Sequence, residues 1–273
     1  MDNYRTIDHG PRTMDQRCVV FRSIVYGLLS IVLLTGCATS YDAHGVFHKV
    51  RKGENLLWIA KSYGVDLQDL AEENNVQNVD HTLTPGEKLY IPPRRERRYK
   101  KLPFEEEIAK NIEKKPARAK GKKIPTKIYT DHTRFEWPVI GVVISPFGVR
   151  HGRRHDGVDI KAVTGTPIHV ADAGTVVYAG SMHGYGNLIL IRHRDDFFTA
   201  YAHNQKNNVK EGQKLKQGQV IGLVGRTGRA TGSHLHFEVR EGEKARNPLF
   251  FLPVEKEKQA MLERGQDESS QPN

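Results

Sequence analysis

Residues 231–240 read Thr-Gly-Ser-His-Leu-His-Phe-Glu-Val-Arg, and the C-terminal half of the chain is best read outward from them. Polar and apolar side chains alternate along this run, the period of a β-strand whose successive side chains point to opposite faces. His234 and His236 lie two residues apart and so share one face of that strand.

Upstream, short apolar or alternating runs recur at 141–144, 167–170, 174–179, 187–192, 197–202 and 220–224, with glycines between them at short intervals. This pattern predicts an antiparallel, mainly β unit rather than alternating strands and helices. Tyr201-Ala202-His203 sets a third histidine at a strand end, and His155-Asp156-Gly157-Val158-Asp159 places a histidine and an aspartate four apart. In one extended segment that even spacing puts His155 and Asp159 on the same face, and the odd offset turns Asp156 to the other. A catalytic zinc takes three nitrogen, oxygen or sulfur ligands and leaves its fourth position to water. His193 alternates with apolar neighbours and reads as structural; His151, His169 and His183 read as surface or loop residues, and Asn187 and Arg150 as candidate groove residues.

The combined stretches Ser-Pro-Phe-Gly-Val-Arg (145–150), His-Asp-Gly-Val-Asp-Ile (155–160), Gly-Tyr-Gly-Asn-Leu-Ile-Leu-Ile-Arg-His (184–193), Thr-Ala-Tyr-Ala-His (199–203) and Thr-Gly-Ser-His-Leu-His-Phe-Glu-Val-Arg resemble the lysostaphin-like, LytM-type zinc endopeptidases of bacterial cell walls. The resemblance covers 135–252. It implies that His155, Asp159 and His236 ligate one Zn2+ ion, and that His203 and His234 are catalytic. One would orient or deprotonate water and the other stabilise the oxyanion, with the order left open. The chain departs from the family at Asn204, where leucine is common, which implies an altered groove wall.

Residues 46–93 have a different character. Phe47-His48-Lys49-Val50 suits a short strand, Asn55 a helix cap, 56–63 two helical turns stopped by Gly64, Asp66 a second cap, and 88–91 a returning strand. This strand–helix–helix–strand unit, with Val50-x-x-Gly-Glu-Asn-Leu and Thr84-Pro85-Gly86-Glu87-Lys88-Leu89-Tyr90-Ile91-Pro92, resembles a LysM domain. The resemblance implies binding of peptidoglycan glycan in a groove near Gly53, Glu54, Asn55 and Leu56 on one side and Asn75, Val76 and Gln77 on the other. The bland reading of Leu56, Ile59 and Leu70 is core packing.

The first 37 residues read as an address. Arg12, Arg17 and Arg22 precede an uncharged stretch, 23–36, ending in Leu34-Thr35-Gly36-Cys37. Such a stretch spans about 21 Å as a helix, short of a ~30 Å hydrocarbon core, so a signal peptide is favoured over a permanent transmembrane helix. Leu34-Thr35-Gly36-Cys37 resembles a lipobox, which implies lipidation of Cys37 and attachment to a membrane. Ala38, in place of the aspartate that commonly retains lipoproteins in the inner membrane, points to the outer membrane, facing the periplasm.

The net charge of +10 is concentrated in one segment: residues 93–130 hold fourteen Lys and Arg against five Glu. So polar a stretch cannot bury enough surface to offset its ordering entropy, and 94–131 reads as a disordered basic linker that lets the two folded units move. The polar residues 253–273 read as a tail. Wall polymers or lipid head groups are the expected anionic partners, and the export signal excludes nucleic acid.

Three functions then compete. An endopeptidase uses all five metal and proton-transfer residues. Relatives with this same domain order activate cell-wall amidases and have typically lost zinc ligands, which makes amidases a second class of partner. A passive wall tether leaves the histidines unexplained.

Overall fold

The structure, a computed structural model, describes residues 45–78, 81–93, 127–150 and 153–254. The signal peptide with Cys37, the linker up to residue 126 and the tail from 255 lie outside the described residues.

In the LysM unit, strand β1 (Val46–Lys49) is followed by helices α1 (Leu56–Tyr63) and α2 (Leu67–Glu73) and strand β2 (Lys88–Ile91), which pairs antiparallel with β1. The caps fall where the sequence places them. Asn55 Oδ1 accepts the Trp58 N–H at 2.8 Å, Gly64 closes α1 at φ +63°, and Asp66 Oδ1 accepts the Gln68 N–H at 2.9 Å. Leu56, Ile59, Leu67, Leu70 and Leu89 are buried, whereas Trp58 is exposed. Asn74 Nδ2 donates to Leu70 O and Tyr90 O while its Oδ1 accepts the Tyr90 N–H, fastening α2 to β2.

The second unit runs through β3 (Val143–Ser145), β4 (Gly148–Arg150), β5 (Arg153–His155), β6 (Val158–Lys161), β7 (Pro167–His169), β8 (Gly174–Met182), β9 (Gly186–Arg192), β10 (Phe197–Asn204), β11 (Lys206–Asn207), β12 (Lys214–Leu215), β13 (Val220–Leu223), β14 (His234–Glu241) and β15 (Lys244–Arg246). Among the described residues, the main antiparallel sheet has the order β12-β8-β9-β10-β14-β6-β3, with β15 also on β14. β4 and β5 form a separate hairpin. Both sheet faces carry apolar clusters: Ile189, Ile191, Tyr201 and Phe237 belong to one, and Leu188, Leu190, Phe198 and Ala200 to the other. The expected mainly β, antiparallel LytM-type architecture preceded by a βααβ LysM unit is thus observed.

His193 is buried, with Nδ1 2.9 Å from Ala173 O and Nε2 2.7 Å from Thr199 Oγ1. Burial pushes its pKa down to about 4, against partial compensation from the Ala173 carbonyl. The folded state therefore resists the proton that the unfolded chain accepts near 6.5, so stability falls as pH drops from about 6.5 to about 4. Unfolding free energies from urea titrations at pH 7 and pH 4 are expected to differ more for the wild type than for His193→Gln, by on the order of 3 kcal/mol. Parallel pH dependence in the two proteins would exclude this role.

The two units are in contact. Glu72, at the end of α2, pairs with Arg246 of β15 at 2.6 Å, and the two are only 2% and 5% exposed. The Asn247 N–H donates to Glu72 Oε2 and its Nδ2 to Glu72 O. The end of the expected linker is also structured: Tyr129 exchanges hydrogen bonds with the Gln68 side chain, and the Asp131 N–H donates to Phe250 O.

Candidate metal centre and active site

His155 ends β5 and Asp159 lies in β6, so the two stand on different strands of different sheets. This corrects the single extended segment inferred from their spacing. Gly157 permits the crossing, since a Cβ there would lie 2.3 Å from Phe237 O. Asp159 then faces His236 directly in the β6–β14 register. His155 Nδ1 donates to Pro146 O at 2.8 Å, which leaves Nε2 3.1 Å from Asp159 Oδ1 and 3.1 Å from His236 Nδ1. His236 Nδ1 is 2.9 Å from Asp159 Oδ1. These three atoms form a group that could hold a metal ion. Two imidazole nitrogens and a carboxylate oxygen suit zinc and leave a fourth position open.

Burial raises the pKa of Asp159, but hydrogen bonds from His155 and His236 outweigh it and hold the carboxyl well below the usual carboxylate range. Burial likewise opposes a proton on His236, yet hydrogen bonds to Asp159 and Glu238 lift its pKa to about 9. The pocket between these groups therefore attracts positive charge, whether proton or cation.

His203 and His234 stand beside this trio, with ring centroids 4.8 Å apart, and His234 Nε2 is 3.7 Å from Asp159 Oδ1. His203 occupies the left-handed region at φ +64°, where the β9–β10 register shifts. A non-glycine residue there is strained, and the kink brings its ring to 5.8 Å from that of His236. His203 Nδ1 donates to Thr227 O at 2.8 Å and His234 Nδ1 to Gly232 O at 2.9 Å, so each keeps Nε2 for other partners. Burial lowers the His203 pKa to about 4 despite the Thr227 carbonyl, which keeps the ring neutral.

Glu238 was missed in the sequence. Its Oε1 lies 3.0 Å from His236 Nε2 and accepts the Tyr185 hydroxyl at 2.8 Å, while Oε2 accepts from Arg240 Nη1 at 2.9 Å. It is fully buried; burial pushes its carboxyl up, but His236 and Arg240 hold it down to about 2. A carboxylate behind a candidate ligand histidine fixes its tautomer and orientation. The available signal was spacing, because Glu238 lies two residues beyond His236 on the same strand face.

The other singled-out residues are placed as follows. Asn204 does not line the groove; it is buried, and its Nδ2 donates to Tyr201 O and Asn207 Oδ1 beneath the kink. Asn187 Nδ2 donates to Asn204 O and Gln205 O, Arg150 donates to Ser145 Oγ, and Asp156 accepts from Arg154. Of the candidate glycan residues, Gly53, Asn55 and Asn75 are exposed, Leu56 and Val76 are buried, and Glu54 Oε2 lies 2.7 Å from His48 Nε2. Gln77 Nε2 donates to Leu249 O of the other unit.

Residues 48–92 match the LysM domain, and residues 153–248 match peptidase family M23. Over 235 residues the chain is 34% identical to the Escherichia coli lipoprotein YgeR, covering 83% of this chain and 91% of that one. The chain belongs to the NlpD/YgeR-type lipoproteins. Murein hydrolase activator NlpD of Escherichia coli is 32% identical over 260 residues, which cover 77% of this chain and 68% of NlpD. Cell division protein DipM of Caulobacter vibrioides is 43% identical over 128 residues, 44% of this chain and 21% of DipM. Among the described residues of this NlpD/YgeR-type chain, no helix is long and apolar enough to cross a membrane.

Proposed function

We propose that this protein is a zinc endopeptidase that hydrolyses peptide crosslinks of peptidoglycan while anchored to a membrane through lipid on Cys37, at the outer membrane and facing the periplasm. The convergence of His155, Asp159 and His236 beside His203 and His234 is the observation that carries the reading. Bound by the first three, zinc would lower the pKa of a water toward about 7 and polarise the scissile carbonyl. His203, neutral and with Nε2 free of Thr227, accepts a proton from the attacking water and returns it to the leaving amine. His234 Nε2 stabilises the oxyanion when protonated. Glu238 keeps His236 Nδ1 turned toward Asp159. The LysM domain holds the enzyme on glycan, with the exposed Gly53, Asn55 and Asn75 as contact residues. In walls of the Gram-negative type, the target is the bond between D-alanine and diaminopimelate.

A second reading, activation of cell-wall amidases during division, is favoured by the names of NlpD and DipM. The two are compatible in one chain. To test the first, the chain from residue 38 is incubated with purified peptidoglycan, and the released muropeptides are resolved by mass spectrometry with and without EDTA. Loss of crosslinked dimers, abolished by EDTA, is expected. An unchanged profile with zinc bound would overturn hydrolysis by this chain and leave activation as its function.

A further inference from the structure

The hairpin β4–β5 delivers His155 to the metal site, yet only its final residue is a candidate ligand. Two of its residues, Gly148 and Arg154, meet Glu73 of the LysM unit. Arg154, adjacent to His155, forms an ion pair with Glu73 at the C-terminal end of α2, and the Glu73 side chain is 6% exposed. The guanidinium also donates from Nε to Asp156 Oδ1 at 2.6 Å and lies over the Phe147 ring, its Cζ 5.1 Å from the centroid. Gly148 is the register partner of His155 across the hairpin. It sits against the Glu73 backbone: a Cβ on Gly148 would approach Glu73 O to 3.0 Å. Glu73 thus presses on both strands, its side chain on the residue before His155 and its carbonyl on the residue opposite.

The docking around this point is polar and specific. Glu72 is held by Arg246 and Asn247, Lys244 pairs with Asp69, and Gln77 bonds Leu249 O. Such contacts fix the end of α2 against the second unit and set where Glu73 stands. His155 itself has one fixed partner away from the trio, Pro146 O, so its ring position follows the hairpin backbone.

We propose that Glu73 of the LysM domain is a positioning residue for the candidate metal ligand His155, acting through Arg154 and Gly148, so that the docked LysM domain forms part of the metal centre's support. This rests on the zinc reading above. Groups that orient a metal ligand from behind typically change metal affinity 10–100-fold when removed, and Glu73 is expected near the lower end, about tenfold, because it acts through the hairpin.

The test is zinc titration of the full-length protein in detergent against a chromogenic chelator, with amide hydrogen exchange of residues 148–155 in the metal-free protein as a second readout. Glu73→Ala and Arg154→Ala are each expected to weaken zinc binding about tenfold and to speed exchange in the hairpin. Glu73→Gln, which keeps a hydrogen-bond acceptor, should recover part of both. Gln68→Ala, which removes the contact with Tyr129 at the other end of α2, should leave zinc binding within about twofold. If the wild type binds zinc and Glu73→Ala binds it equally well, the positioning role is overturned and the metal reading stands. Equal losses in Gln68→Ala and Glu73→Ala would also overturn it, because docking in general would then be responsible. A wild type that binds no zinc overturns the metal reading and this proposal together.

Discussion

Asp159→Ala is expected to remove both zinc binding and peptidoglycan hydrolysis. The Asp159 carboxylate is the point on which the site converges: His155 Nε2, His236 Nδ1 and His234 Nε2 lie within 3.1, 2.9 and 3.7 Å of its Oδ1. Without it, a cation meets only neutral nitrogen ligands, and the charge that draws positive species into the pocket is lost. The fall in zinc affinity should exceed the roughly 10–100-fold typical of residues that only support a ligand. Muropeptide release should fall to the level of the EDTA-treated wild type. Because the folded state holds the Asp159 carboxyl well below its usual range, the ionised group also stabilises the fold at neutral pH, and the urea midpoint should fall, though less than for Glu238→Ala. Zinc titration and muropeptide analysis check the two losses, and retention of either at wild-type level would remove Asp159 from the site.

Glu238→Ala is expected to have the largest effect on stability. The fully buried carboxylate compensates the Arg240 guanidinium, 2% exposed, and also accepts the Tyr185 hydroxyl. Removing one member of a buried pair leaves an uncompensated charge and typically costs 3–5 kcal/mol, so a loss of about 4 kcal/mol is expected. His236 also loses the partner on its Nε2, so zinc affinity should fall roughly 10–100-fold in whatever fraction folds. Glu238→Gln should keep more stability, because its amide oxygen can accept from Arg240 or Tyr185. Urea denaturation and zinc titration of both variants provide the check; a Glu238→Ala protein with wild-type midpoint and zinc affinity would refute both roles.

The legible parts of this molecule are those in which local chemistry decides structure. Asn55, Gly64 and Asp66 act as caps through contacts within a few residues, and the same is true of the strand alternation around His236. His203 and His234 were legible through resemblance, and the structure brings them together. What was hidden depends on sheet order. β14 is a central strand whose residues from His234 to Arg240 are buried on both faces. Glu238 shares the face of His234 and His236, but its partners Tyr185 and Arg240 come from the fold and from the far end of the strand, which spacing alone does not supply. The β4–β5 hairpin was missed because Val-Arg-His-Gly-Arg-Arg-His, residues 149–155, has the polarity of a loop. Likewise Asp69, Glu72 and Glu73 suit a solvated helix face until the second unit supplies Lys244, Arg246 and Arg154 opposite them.

The burial of β14 on both sides bears on the order in which the protein is assembled. Leu235, Phe237 and Val239 lock one face of this strand into the core, while His236 on the other face is tied to Glu238. His155 is likewise anchored to a backbone carbonyl. The donor atoms are therefore aimed by the same contacts that make the sheet. Small zinc domains that are unfolded without metal spend much of their binding free energy on ordering the chain. Here that ordering belongs to the sheet, so on the zinc reading proposed above the metal would enter a chain already folded, and a shortage of zinc would cost activity before it cost the fold.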